Sequence, residues 1–290
     1  MRFEVILPAA AGTSADPEWV GSFARHVEAC GFDGLVVVEH TVVVRDYAST
    51  YPYDASGRME LEPGCDLPDP LELLAFVAGV TSRIALATGV LVLPNHHPVL
   101  LAKRAATLDR LSGGRLRLCV GMGWMREEIE SLDVDFATRG RRADEQLDVL
   151  RALWEGDEKG VDHDGEFFHL RGAVSFPKPA HRIPVHVGGH SDAAARRAGR
   201  RGDGLQPLGA KGEELTRLVQ LMRDEASACG RDPEGLELTL GHLVPAVTLE
   251  KAERLGALGA DRVVLAASPL AELAAAEDEL SDCAQRLGLG

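Results

Sequence analysis

The chain is short of cysteine, of aromatic residues and of positive charge, and each shortage closes off a class of function. The five cysteines, Cys30, Cys65, Cys119, Cys229 and Cys283, are odd in number and stand at no metal-binding spacing. Neither a disulfide framework nor a cysteine-ligated metal therefore organises the fold, and the thiols read as buried or incidental ones of a reducing cytoplasm. Lys and Arg number 31 against 45 Asp and Glu, a formal net charge of -14. A phosphate backbone needs a basic face, so nucleic acid is excluded as a main partner. An anionic cofactor needs only a few local donors and is not excluded. No apolar run is long enough to cross a bilayer, and residues 1–17 lack the basic and apolar regions of a secretory signal. A cytoplasmic protein with no membrane partner is expected. No His/Asp/Glu set has ligand spacing and no G-x-S-x-G elbow occurs, so no metal and no serine nucleophile is expected.

What is present is glycine and apolar pattern. Aromatics are 5% of the chain, but hydrophobic residues are 45% and glycines number 31. A full core with many short turns follows, in a length that suits one α/β barrel domain over residues 1–290. The pattern is clearest over residues 84–123, IALATGVLVLPNHHPVLLAKRAATLDRLSGGRLRLCVGMG. An apolar run at 84–93 ends at Pro94, an amphipathic helix follows at 99–111, Ser112-Gly113-Gly114 stops it, and a second apolar run at 116–120 enters Gly121-Met122-Gly123. That is a βαβ unit whose strands are buried on both faces. Glycines at the strand ends leave room for a close ligand.

The unit repeats. Strands are predicted at 3–7, 35–38, 84–93, 116–120, 185–187, 203–208, 236–244 and 262–265. Helices are predicted at 19–29, 69–80, 99–111, 139–154, 191–201, 213–228, 249–258 and 269–287, with a short acidic helix at 124–132. A long loop spans 41–67, and 156–176 alternates like a hairpin insertion before the fifth strand. Eight strands alternating with eight helices predict a closed (β/α)8 barrel, with a doubly wound open sheet as the alternative.

In such barrels the chemistry sits at the C-terminal ends of the strands. Those ends carry His40, Gly89-Val90, Gly121, Trp124, Gly188-Gly189-His190-Ser191 and Gln206. His40 suits proton transfer, or it is a hydrogen-bonded histidine at the rim. Gly188 and Gly189 before a helix opening at Ser191 expose N–H groups beside a helix N-terminus, an anion-site pattern. Gly209 and Lys211 open the next helix in the same way; each glycine pair is equally a tight turn. Glu127 and Glu128 begin the short helix, where acids favour the dipole. Trp124 and Tyr47 are candidates for a substrate pocket, and Trp124 is equally a core aromatic.

Several stretches together resemble the bacterial luciferase-like oxidoreductases, especially their coenzyme F420-dependent branch. They are GFDGLVVVEH at 31–40, the text from Thr81 to Phe136, RGRRADEQLDVLRALW at 139–154 and IPVHVGGHSDAAARRAGRRGDG at 183–204. The resemblance implies a luciferase-like (β/α)8 TIM barrel, a homodimer, and a hydride-transfer enzyme acting on a small-molecule substrate with F420. It implies a non-prolyl cis peptide at Gly89-Val90 under the cofactor ring, a phosphate region at Gly188, Gly189, Ser191, Gly209 and Lys211, a catalytic His40, and a glutamate matched by Glu127 or Glu128. This chain has Glu39-His40 where many F420 members have Asp-His. An FMN-dependent monooxygenase using reduced flavin and oxygen, and a non-catalytic barrel subunit, are the alternatives.

Overall fold

Eight parallel strands share one hydrogen-bonded ring. In the computed structural model, which describes residues 1–290, they are β1 (Arg2–Ile6), β2 (Gly34–Val37), β3 (Ala85–Thr88), β4 (Leu116–Gly121), β5 (Val185–Gly188), β6 (Gly204–Gln206), β7 (Glu237–Leu243) and β8 (Arg262–Ala266). Each pairs with its neighbour in chain order, and β1 closes on β8 with Arg2 opposite Arg262 and Ile6 opposite Ala266. An open doubly wound sheet would leave two edges unpaired; here none remains among these strands. The short apolar strands are wholly buried in β2, β4 and β6, as a sheet covered on both faces requires.

The helices are α1 (Pro17–Ala29), α2 (Pro70–Val80), α3 (Pro98–Leu111), α4 (Arg139–Glu155), α5 (Asp192–Arg201), α6 (Gly212–Ala228), α7 (Leu249–Ala257) and α8 (Leu273–Leu287). Their starts are written locally. Asp16, Asp69 and Ser191 cap α1, α2 and α5 by accepting backbone N–H bonds, and Pro17, Pro70 and Pro98 occupy first-turn positions where no N–H is needed. The predicted hairpin is present, with antiparallel strands Val161–Asp164 and His169–Ala173 between α4 and β5. No helix is long and apolar enough to cross a membrane.

Two boundaries differ from the sequence pattern. The apolar run at 84–93 is not one strand. It breaks after Thr88, turns through a cis Gly89-Val90 peptide, re-pairs with β4 as Leu91–Val92 and ends in a 3-10 turn, Leu93–Asn95. Hydrophobicity alone cannot register such a bulge, because all these residues remain buried or nearly so. The last helix begins at Leu273, not 269, because the chain first crosses the barrel end, where Trp19 Nε1 donates to the Ala271 carbonyl at 2.9 Å.

The two ends of the barrel interior differ in kind. At the N-terminal end, Glu4 of β1 is fully buried and bonds both Arg117 of β4 and Arg262 of β8. Arg262 also reaches Glu237 at 3.0 Å, which is held well below the usual carboxylate range by His186, against the opposing effect of burial, and by Arg2 and Arg262. This closed ion cluster fills the floor. Above it, Val36, Ala87 and Val264 form a small apolar layer. The C-terminal end is open.

Candidate active site

A cavity of about 1120 Å³ occupies the C-terminal mouth. It is lined by Glu39 and His40 after β2, Gly89, Val90 and Val92 around the bulge, and Gly121 to Trp124 after β4. Gly188 to Ser191 after β5 and Gln206 at the end of β6 complete the strand-end wall. These residues come from five strand ends, and the barrel's common strand direction brings them to one rim.

The bulge is the floor of the cavity, and the glycines around it have a different purpose from the one the sequence indicates. A Cβ placed on Gly121 would meet Val90 Cγ2 at 2.5 Å, and one on Gly188 would meet Val90 Cγ1 at 2.5 Å. Both glycines make room for Val90 rather than directly for a ligand. Gly123, at φ 75°, and Gly189, at φ 123°, are set by their own backbone, where a side chain is strained.

Two histidine–carboxylate pairs flank the bulge. His40 Nδ1 bonds Glu128 Oε2 at 2.8 Å, and Glu128 is 1% exposed. The same carboxylate accepts the Thr41 N–H at 2.6 Å and Asn95 Nδ2 at 3.1 Å. With its carboxylate partner on Nδ1, the neutral imidazole carries its proton there and leaves Nε2 free to take one. In the second pair Glu39 accepts His96 Nε2 at 2.7 Å and the Val92 N–H at 2.5 Å, just past the cis peptide. Gln146 then donates to the carbonyls of Leu93 and His96. The segment leaving the bulge is therefore tied by side chains of β2's end and of α4.

The structure separates Glu127 from Glu128. Neither lines the cavity. Glu128 is joined to it only through its hydrogen bond to His40. Glu127 ties down the loop at 41–67, accepting the Ala48 N–H at 2.6 Å, the Ser49 N–H at 3.1 Å and the Ser49 hydroxyl at 2.7 Å. Burial pushes the Glu127 carboxyl up, but the Ser49 hydroxyl and the backbone N–H groups outweigh it and bring it down to about 2.

Tyr47 lies elsewhere than the sequence suggests. It does not line the cavity; it stands behind Trp124 with ring centroids 5.2 Å apart, and its hydroxyl accepts the Met59 N–H at 2.8 Å. Tyr51 and Tyr53 take the lining positions. Edge contacts run from His40 to Trp124 (5.9 Å), Trp124 to Tyr51 (5.1 Å), Tyr51 to Tyr53 (5.4 Å) and Tyr53 to His190 (5.5 Å). This chain of rings straps the loop across the mouth.

The cations differ most from expectation. Gly209 and Lys211 do not line the cavity: the turn at Gly209 leads the chain away from the rim, and Lys211 is exposed at the start of α6. In their place stand Arg139, Arg141 and Arg197. Arg197 pairs with Asp144 at 2.6 Å and Arg141 with Glu166. Arg139 has no carboxylate partner; it donates to the carbonyls of Gly123 and Phe136 and stacks on the Phe136 ring at 3.6 Å. Burial, then the like charges of Arg126 and Arg197, push its guanidinium below the usual range. Ser191 caps α5 through the Ala194 N–H at 3.2 Å, and the preceding first-turn N–H groups have no partner within the helix. Both that helix start and Arg139, a cation lacking a counter-charge, line the one cavity, and each is suited to an anion. One sequence signal was available: α4 opens with Arg139, Arg141 and Arg142 and no acid in its first turn, against the helix dipole.

Gln206 is the last lining residue of note. It is 8% exposed, its side chain makes no hydrogen bond, and its Oε1 is buried without a partner. A carboxamide left so at a cavity wall is completed by a ligand with a polar edge. No group of three or more His, Cys, Asp or Glu side chains is arranged to hold a metal.

Comparison with known proteins places this site in a family. A model of the luciferase-like monooxygenase family matches residues 1–286, and the chain belongs to that family. It is 36% identical over 206 residues to an uncharacterised protein of Mycobacterium tuberculosis, covering 70% of each chain. It is 32% identical over 228 residues to the F420-dependent glucose-6-phosphate dehydrogenase of Mycolicibacterium fortuitum, covering 76% of this chain and 62% of that one. Among solved structures, the monooxygenase RslO1 of Streptomyces bottropensis superposes with a TM-score of 0.79 at 21% identity, over 99% of this chain and 98% of the other. An F420-dependent secondary alcohol dehydrogenase in complex with an F420-acetone adduct does so at 0.78 and 18%, with the same coverage. At these identities the superpositions establish the luciferase-like TIM-barrel fold.

Proposed function

From membership of the luciferase-like family, we propose that this chain is an F420-dependent oxidoreductase that moves a hydride between the deazaflavin and a small organic substrate. The observation that carries the reading is the cavity's division into three parts: an apolar bulge at Val90, an anion end at Ser191 and Arg139, and a proton-handling His40. F420-dependent relatives at 32% and 34% identity support the choice of cofactor.

The residues fit such a group. F420, when bound, supplies or takes a hydride at its flat ring and carries a phosphate in its tail. Val90, seated over Gly121 and Gly188, offers an apolar surface to one ring face. Gln206 offers its carboxamide to the ring's polar edge. The start of α5 and Arg139 hold the phosphate. His40 gives or takes the substrate's proton at Nε2, while Glu128 fixes the ring's orientation and tautomer. The 41–67 loop, strapped by Trp124, Tyr51 and Tyr53, excludes water from the reacting carbon. Holding both partners in place supplies much of the rate in such a step. A homodimer in the cytoplasm belongs to the same reading, on the family resemblance.

The test is a titration of the purified protein with F420 and with FMN, read by fluorescence. F420 is expected to bind more tightly. Tighter FMN binding overturns the reading in favour of a flavin monooxygenase, and binding of neither favours a barrel without a flavin-type reaction.

A further inference from the structure

The arginines lining the cavity are confined to one side, where Asp144 also stands, paired with Arg197. They are Arg139, Arg141 and Arg197, and all come from α4 or α5. The loop at 41–67 contributes Tyr51, Tyr53, Met59 and Leu61, and its only charged lining residues are Asp54 and Glu60. That loop contains two arginines, and neither lines the cavity. Arg58 is turned back, donating to the Tyr47 carbonyl at 2.8 Å and lying over the Tyr47 ring at 4.7 Å. The wall facing His40 is therefore aromatic and apolar, and negative where it is charged.

We infer that the substrate enclosed between this loop and His40 is an uncharged, ring-bearing ketone, enone or alcohol, and that phosphorylated and carboxylated molecules are rejected there. The inference rests on the oxidoreductase reading and adds the substrate class to it. Trp124 and Tyr51 present ring faces and edges that stack on a flat or alicyclic body. An anionic substrate in that position would meet the carboxylates of Asp54 and Glu60 and would find no cation supplied by the loop, so it gains no charge-assisted hydrogen bond from that wall. The one lining arginine without a counter-charge, Arg139, is held by the Gly123 and Phe136 carbonyls and the Phe136 ring and is assigned to the cofactor's phosphate. The chain thus differs from its relatives named for glucose 6-phosphate, a dianionic sugar.

The test uses the protein loaded with whichever of F420 or FMN it binds, so the choice of cofactor, which decides the preceding reading, leaves it standing. Calorimetric titration with cyclohexenone, indanone and glucose 6-phosphate reads binding directly, and turnover is followed separately. The ring ketones are expected to bind at least roughly tenfold more tightly than the sugar phosphate, and Tyr51→Ala is expected to weaken them by roughly tenfold while Tyr51→Phe does not. Cofactor affinity, unchanged in both variants, reports that the fold is intact. Equal or tighter binding of glucose 6-phosphate overturns the inference, as does ring-ketone binding indifferent to Tyr51→Ala.

Discussion

The methyl groups of Val90 stand where a side chain on Gly121 would have to go: a Cβ built there lies 2.5 Å from Val90 Cγ2. The bulge and the glycine of the neighbouring strand are one device, and the shape of the cavity floor depends on both.

Gly121→Ala should therefore push Val90 off its seat. Crowding of this kind costs about 1–3 kcal/mol of stability, read as a lower denaturant midpoint. F420 binding should weaken with it. The double variant Gly121→Ala, Val90→Ala should recover much of the stability, since the clash is with the Val90 methyls, but not the affinity. Recovery of both would show that Val90 does not support the ring.

His40→Ala should lower kcat by about 10²–10⁴-fold, the usual range for one proton-transfer group, with F420 affinity little changed. Glu128→Gln is the finer experiment. The glutamine can still accept from Thr41 but offers its NH2 to His40 Nδ1, which reverses the tautomer and places the proton on Nε2. Turnover should then fall in both directions, and its pH profile should change shape, because the atom that must accept the proton already carries one. A loss at every pH that leaves the shape of the profile unchanged would give Glu128 a purely structural role.

Glu127 makes the loop's attachment sensitive to acid. Its folded-state carboxyl, at about 2, lies below the ordinary value of 4.5. Its contribution is therefore present above the unfolded-state value and lost as pH falls from there toward 2. The difference in unfolding free energy between the native chain and Glu127→Gln should shrink across that window. At neutral pH, amide exchange at Ala48 and Ser49 should be faster in the variant; equal exchange would break the assignment.

Lys211→Ala should leave F420 affinity within about twofold, because the residue is exposed outside the cavity. Arg139→Leu should weaken it by roughly tenfold or more, the scale of one hydrogen bond to a charged group. The opposite ranking in equilibrium titrations would return the phosphate to the loop before α6.

The amino-acid order by itself determined the elements and their alternation. Apolar runs, the Asp16 and Asp69 caps and the first-turn prolines are read within a few residues, and helix and strand periods are local properties of the backbone. With eight units in line, the barrel followed, and His40, Val90, Trp124, Gly188 and Gly189 could be placed at one rim, where the structure has them lining a single cavity. Only the tertiary structure decided what those residues face. Adjacent helical residues point about 100° apart, so Glu127 and Glu128 part company, one to the loop and one to His40, 88 positions away. Tyr47 turns behind Trp124 while Tyr51 turns inward, as the path of the loop dictates. Lys211 leaves the rim, and Arg139 enters it, because the path of a turn and the tilt of a helix are fixed by packing between distant segments. Composition and spacing do not encode those contacts, and the placing of the cavity's arginines is made of them.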